Sequence, residues 1–67
     1  MRLTINGVNH QVEDGKTVLD AVRLLGIDES DGIAAAVEGE VIPRKEWEAT
    51  RLNDGQHIEV LRAVQGG

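Results

Sequence analysis

The chain has 67 residues, which is enough for a single domain over residues 1–67 but leaves no room for the enclosed active site that most enzymes use. It contains no cysteine and only two histidines, which excludes disulfides, iron–sulfur clusters, thiol nucleophiles and multi-histidine metal sites. The net charge of −5 disfavours nucleic acid and anionic lipid as partners, and no apolar segment approaches the ~20 residues that span a bilayer.

The N-terminal segment predicts a β-hairpin, because its larger side chains alternate with small or polar ones on both sides of Asn6-Gly7. Asn-Gly strongly favours a type I′ turn, which needs a positive φ at both central positions. A two-residue loop pairs Ile5 with Val8 and Leu3 with His10. One face of the hairpin is therefore expected to carry six side chains, which are Met1, Leu3, Ile5, Val8, His10 and Val12.

A short amphipathic helix is predicted next. Thr17 is followed three residues later by Asp20, which is the spacing of an N-terminal capping box. Gly26 is suited to end the helix after eight or nine residues, because it tolerates the left-handed conformation at that position. The apolar stripe expected to face the core consists of Val18, Leu19, Ala21, Val22 and Leu25.

The rest of the chain predicts three strands, over residues 33–37, 41–42 and 57–64, and one helical turn over residues 45–48. Turns are expected at Glu38-Gly39 and at residues 53–55, and Pro43 should end the second of these strands or place it at a sheet edge. The acidic loop over residues 28–32 lacks the ligand spacing of a calcium loop, so we expect it to be solvated.

This order of elements predicts an α+β fold of the β-grasp, ubiquitin-like class. A mixed sheet of four to five strands should pack on one main helix, with residues 64–67 as a flexible C-terminal tail. The helix would serve as the crossover that lets the last strand lie parallel to the first. In that last strand, Ile58 and Val60 should face the core, which leaves Leu61 and Ala63 facing outward.

No active site is predicted within the domain. Ser30, Asp54 and His57 have the residue types of a catalytic triad, but a triad is defined by geometry, and three surface loop residues are the expected outcome. His10 is expected to be partly buried and neutral at the margin of the sheet. The segment Pro43-Arg44 and Trp47 are expected to cover an edge of the core.

The ending Gln65-Gly66-Gly67 is the feature that indicates chemistry, although a frayed terminus is the simpler explanation. Residues without Cβ pass through narrow channels, so such a tail can carry the carboxylate of Gly67 into the active site of another protein. Joining that carboxylate to AMP would make its carbonyl an acylating agent. Attack by a persulfide would then lead to a thiocarboxylate, and attack by an amine to an isopeptide bond. Either way the chain is a substrate and carrier, and not an enzyme.

Several segments together match a known pattern, and they are Asn6-Gly7, Thr17-Val18-Leu19, Val41-Ile42-Pro43-Arg44, Trp47, Leu52-Asn53-Asp54-Gly55 and Ala63-Val64-Gln65-Gly66-Gly67. With these residues the chain resembles the ThiS family of sulfur carrier proteins of thiamine biosynthesis over essentially its whole length. Glu38 and Gln56 depart from the family pattern, which commonly has Asn and Asp there.

The resemblance implies three partners. A ThiF-like adenylyltransferase would use ATP and magnesium to adenylate Gly67, and a cysteine desulfurase or another persulfide donor would supply sulfur. A ThiG-like thiazole synthase would then take the sulfur to build the thiazole of thiamine. Gly66 and Gln65 would thread into these partners, and the chain itself would bind no cofactor or metal. A cytoplasmic protein that is monomeric when free is expected.

Partner docking is predicted beside the tail, on the outward residues Leu61 and Ala63 and on Val64, which follows them. Three alternatives stay open. The chain could carry sulfur for another pathway, such as the formation of molybdopterin or cysteine or the thiolation of tRNA. It could be a ubiquitin-like covalent modifier of proteins, or a plain β-grasp binding module.

Overall fold

A computed structural model of the chain describes residues 1–27 and 32–62. These residues form five strands, one α-helix and one 3₁₀ turn. In chain order they are β1 (Arg2–Ile5), β2 (Val8–Gln11), α1 (Val18–Leu24), β3 (Ile33–Val37), β4 (Glu40–Ile42), the 3₁₀ turn (Arg44–Glu46) and β5 (His57–Arg62).

The five strands build one mixed sheet in the order β2-β1-β5-β3-β4. At its centre β5 runs parallel to β1, with Ile5 opposite Ile58, and antiparallel to β3. The connection between β1 and β5 therefore includes the helix, as a crossover between parallel strands requires. This is the β-grasp arrangement that the sequence predicts, and it places the last strand in the middle of the sheet.

The first hairpin forms with the predicted register, in which Leu3 lies opposite His10 and Ile5 opposite Val8. Its turn has φ values of 51° at Asn6 and 82° at Gly7, as the type I′ geometry requires. Val8 lies on the same face as Ile5, as predicted, but its side chain is 58% exposed. The reason is that β2 is an edge strand, so the apolar surface shared by the central strands does not extend over its end.

Helix α1 begins at the predicted capping box. The Thr17 hydroxyl accepts a hydrogen bond from the Asp20 backbone N–H at 3.3 Å, and the Asp20 carboxylate accepts one from the Thr17 N–H at 2.9 Å. The first of these hydrogen bonds satisfies an N–H group that has no partner within the helix. Gly26 follows the end of the helix with a φ of 71°. The helix is seven residues long, slightly shorter than predicted.

The core is aliphatic except for Trp47, which is 2% exposed. The Trp47 indole Nε1 donates to the Ile42 carbonyl at 2.8 Å, so the polar end of the ring is satisfied. The 3₁₀ turn starts at Arg44, one residue before the predicted position, directly after Pro43. The core residues are Leu3, Ile5, Val18, Ala21, Val22, Ala35, Val37, Trp47, Leu52, Ile58 and Val60.

The remaining strands agree with the sequence pattern. Strand β3 has the predicted bounds in spite of its three alanines, and β4 begins one residue before Val41. Most of the acidic loop, over residues 28–31, lies outside the described residues, as does the segment 63–67. The predicted extension of β5 to Val64 and the tail over residues 64–67 therefore stay predictions.

Candidate functional site

The candidate site lies at the carboxyl end of β5, where the chain continues toward the diglycine. The predicted site residues Ala63, Val64, Gln65, Gly66 and Gly67 lie outside the described residues. The neighbouring surface that the structure describes is the one around the end of β5 at Arg62. This surface is formed by the outer face of the sheet, opposite the face that packs on the core.

Strand β5 alternates as predicted. Ile58 and Val60 are buried in the core, whereas Leu61 is 63% exposed on the outer face. Leu61 is the last outward-facing residue of β5, since Arg62 ends the strand. The predicted exposure of Leu61 next to the tail is confirmed, and its role in docking stays a prediction.

Leu61 belongs to an apolar patch formed by three neighbouring strands, β5, β3 and β4. The antiparallel register places Leu61 opposite Ala34, and it places Ala36 opposite Val41 of β4. Val41 is 67% exposed, and these side chains surround a shallow depression of about 90 Å³ with Glu59 at its margin. We define Ala34, Ala36, Val41 and Leu61 as the outer patch.

The outer patch has a simple structural cause. Alanines at positions 34 and 36 have too little side chain to fill the outer face, so the branched side chains of Val41 and Leu61 project beside them. The signal for the patch was present in the alternation of β3, where Ala35 and Val37 face the core. Its other members could not be assigned without the order of β4, β3 and β5.

The residues of the suggested triad do not act on each other. The carboxylate oxygen Oδ1 of Asp54 accepts the Arg2 backbone N–H at 2.6 Å. His57 instead contacts Glu38, whose Oε2 lies 3.3 Å from the His57 Nδ1 and accepts the His57 backbone N–H at 2.6 Å. Ser30 lies outside the described residues. The two described members are therefore bound to different partners.

The two positions that depart from the family pattern both make hydrogen bonds, at the start of β5 and in the turn before it. The backbone hydrogen bond from His57, followed by the one from its side chain, lowers the pKa of Glu38 below its ordinary value. Gln56 closes the turn before β5, because its Oε1 accepts the Asn53 backbone N–H at 2.7 Å. Neither contact involves the outer patch.

The remaining candidate residues lie away from the end of β5. His10 is half-buried on the edge strand β2. The guanidinium carbon of Arg44 lies 5.4 Å from the centroid of the Trp47 ring, a distance typical of a cation–π contact. In the described part of the chain, no three His, Cys, Asp or Glu side chains are grouped as a metal site would require. Within residues 1–27 and 32–62, no helix has the length and apolar character needed to cross a membrane.

Comparison with known proteins supplies the family. The sequence model of the ThiS family matches residues 3–67, which includes the diglycine. The chain belongs to the ThiS family. No curated protein matches it significantly in sequence.

Two solved structures show how far the similarity extends. The crystal structure of the thiamine biosynthesis protein ThiS from Geobacter metallireducens superposes with a TM-score of 0.83 at 29% identity, over 100% of both chains. The solution structure of a thiamine biosynthesis protein from the same organism gives a TM-score of 0.78 at 29% identity, over 100% of this chain and 88% of that one. The resemblance inferred from the residues is thus confirmed, and so is the β-grasp fold.

Proposed function

We propose that this member of the ThiS family is a sulfur carrier of thiamine biosynthesis whose C-terminal carboxylate becomes a thiocarboxylate. The observation that carries the proposal is the Gly66-Gly67 ending inside the family match. Support also comes from the similarity over its full length to a ThiS protein of thiamine biosynthesis. The chain acts as the substrate and carrier, and its partners supply the catalysts.

The first step activates Gly67. A carboxylate resists nucleophiles because its leaving group would be oxide, so an oxygen of Gly67 attacks the α-phosphorus of ATP and pyrophosphate departs. The product is an acyl-adenylate, in which AMP is a good leaving group. ATP and magnesium belong to the ThiF-like adenylyltransferase in this scheme. The contribution of the carrier is a narrow tail that reaches the nucleotide.

The second step installs the sulfur. The terminal sulfur of a protein persulfide attacks the Gly67 carbonyl, and AMP leaves with the electron pair of the broken bond. The product is an acyl disulfide, which a second thiol cleaves to give the thiocarboxylate and a new disulfide. The carrier has no cysteine, so both the persulfide and the thiol must come from its partners. A cysteine desulfurase or another persulfide donor fits this requirement.

The third step is delivery. A thiocarboxylate sulfur is a nucleophile, so a ThiG-like thiazole synthase can take it into the thiazole precursor and return the carrier with its carboxylate. Partner proteins that act on the tail need a docking surface on the carrier next to the tail. The outer patch offers one, since Leu61 and Val41 are exposed on the outer face of the sheet and Leu61 precedes Ala63 by only two residues. Apolar patches of this kind are typical docking sites.

The experiment is a charging assay, in which charging means conversion of the Gly67 carboxylate to the thiocarboxylate, and it follows the intact mass of the carrier. The purified carrier is incubated with ATP, an adenylating enzyme of thiamine biosynthesis and a persulfide donor. We expect a mass increase equal to one sulfur minus one oxygen, and none when Gly67 is deleted. Adding thiazole synthase with its other substrates should return the original mass and yield thiazole. Isopeptide adducts to lysines, formed when an amine attacks the acyl-adenylate and AMP leaves, would instead indicate a protein modifier.

A further inference from the structure

The side chain of Asn6 makes hydrogen bonds that the β1–β2 turn does not require. Asn6 and Gly7 form the β1–β2 turn, and the positive φ of Asn6 is accessible to Gly and Asp as well. The turn therefore explains the backbone conformation at this position. It does not explain the amide group, which reaches across to the last strand of the sheet.

The Asn6 amide forms two hydrogen bonds with the backbone of Val60. Its Nδ2 donates to the Val60 carbonyl at 3.1 Å, and its Oδ1 accepts the Val60 N–H at 2.8 Å. The Asn6 backbone N–H donates to the Ile58 carbonyl at 2.9 Å. A side-chain amide has the same donor and acceptor as a peptide group, so Asn6 extends the parallel ladder by one further pair after the main chain of β1 turns away.

This contact lies where the pairing of β5 with β1 has ended. The pairs of β5 with β1 end at Ile58, whereas the pairs of β5 with β3 continue to Leu61 and Arg62. The backbone of Val60 lies beyond the last of the pairs with β1, and Asn6 supplies its hydrogen bonds. Up to Val60, β5 therefore has hydrogen bonds on both sides, with β3 on one and with β1 and Asn6 on the other.

We propose that Asn6 is a positioning residue, whose amide holds the end of β5 in the sheet and so limits how far the start of the C-terminal tail can move when the adenylating enzyme binds it. The inference rests on the proposed function. Adenylation needs the Gly67 carboxylate aligned with the α-phosphorus of ATP, and an error of about 1 Å in such an alignment can lower a rate by roughly 100-fold. Asn6 never touches the nucleotide, so its effect acts through the strand.

Two substitutions distinguish the effect of the Asn6 amide contacts from the effect of the turn. Asn6→Asp keeps the acceptor for the Val60 N–H and tolerates a positive φ, but it loses the donor and places a carboxylate against the Val60 carbonyl. Asn6→Gly keeps the turn and removes both contacts. Asn9→Asp is the matched control, because it makes the same charge change on the same hairpin. Asn9 Oδ1 accepts a hydrogen bond from the Thr4 hydroxyl at 3.1 Å, and a carboxylate can accept the same bond.

The first measurement is the steady-state kinetics of adenylation, with each carrier variant as the varied substrate, at a temperature where circular dichroism shows all variants to be folded. We expect both Asn6 variants to lose about tenfold or more in kcat with KM within about twofold of the wild type, because docking is intact but alignment is not. Asn9→Asp should match the wild type. A merely structural role would lower the melting temperature and leave kcat unchanged, and that result would overturn the proposal.

The second measurement does not depend on any partner. Backbone ¹⁵N relaxation should give Leu61 and Arg62 order parameters near the rigid value of about 0.85 in the wild type, and clearly lower values in Asn6→Gly, with α1 unchanged. If the wild type is not adenylated at all, the proposed function fails and this measurement still decides the role of Asn6. Order parameters at Leu61 and Arg62 that do not change in Asn6→Gly would overturn the inference.

Discussion

The indole Nε1 of Trp47 lies 2.8 Å from the carbonyl oxygen of Ile42 and donates a hydrogen bond to it. This contact ties the turn after β4 to the edge of the sheet and lets the largest side chain of the chain enter an otherwise aliphatic core. In a small domain without disulfides, a single group that both fills the core and satisfies a strand carbonyl has a large effect on stability.

Trp47→Phe should therefore lower the free energy of unfolding by about 1–3 kcal/mol, since the Ile42 carbonyl loses its donor and the smaller ring leaves space. Arg44→Ala is the control, because it removes only the cation that lies 5.4 Å from the ring centroid, a contact worth about 0.5–1 kcal/mol when exposed. Urea unfolding followed by far-ultraviolet circular dichroism measures both. Equal losses in the two variants would show that the indole hydrogen bond contributes little.

Removal of the helix cap should also be measurable. Thr17→Ala deletes the hydroxyl that accepts the Asp20 N–H and should cost about 1 kcal/mol, which corresponds to roughly 4–8 °C in the melting temperature of a domain of this size. Thr17→Ser keeps the hydroxyl and should stay close to the wild type. Thermal unfolding of the three proteins tests this, and a Ser variant as unstable as the Ala variant would contradict the capping role.

The contact between Glu38 and His57 predicts a pH dependence of stability. The pKa of Glu38 is lowered in the folded state, so its carboxylate contributes stability that is fully present above the ordinary value of 4.5 and is lost as the pH falls through the lower folded value. Glu38→Gln should remove this part of the acid destabilisation. The pKa of Asp20 is also lowered, mainly by the backbone hydrogen bond from Thr17. The contribution of Asp20 to the acid destabilisation should therefore persist in the Glu38→Gln variant.

Chemical unfolding of the wild type and Glu38→Gln at neutral pH and at several pH values below 4.5 provides the comparison. The wild type should lose more stability between the two conditions than the variant does. Glu40→Gln is the matched control, since Glu40 is also an exposed glutamate beside the same turn. If all three proteins lose the same amount, the contact does not couple protonation to folding.

The outer patch predicts a specific docking defect. Leu61→Lys should raise the KM of the carrier for adenylation by about tenfold, because a charge replaces an apolar anchor, while kcat and stability stay close to the wild type. Leu24→Lys is the matched control, since Leu24 is 50% exposed on α1, away from β5. A KM that rises equally in both variants would indicate a general effect of charge and not a docking surface.

Local signals sufficed for much of the fold. Asn6-Gly7 specified the hairpin register, and Thr17 with Asp20 specified the start of the helix, because each signal acts over a few residues. The alternation in β5 likewise assigned Ile58 to the core and Leu61 to the surface. These contacts depend only on backbone geometry near the residues themselves.

Contacts between distant segments were not accessible in this way. The hydrogen bonds of Asn6 to Val60 span 54 residues, and those of Glu38 to His57 span 19. Each requires the strand order, which no local pattern contains. The same is true of the exposure of Val8, since the alternation indicates a face but not whether the strand lies at the edge of the sheet.

In the proposed mechanism the chemistry takes place on the terminal carboxylate of Gly67 and on none of the 12 acidic side chains. Fragmentation of the intact sulfur-loaded carrier in the mass spectrometer locates the added sulfur, with a carrier extended by one alanine after Gly67 as the control. We expect the sulfur only in C-terminal fragments that contain Gly67, and we expect the extended carrier to melt like the wild type but to gain no sulfur. Sulfur in fragments that lack Gly67, or charging of the extended carrier, would contradict this mechanism.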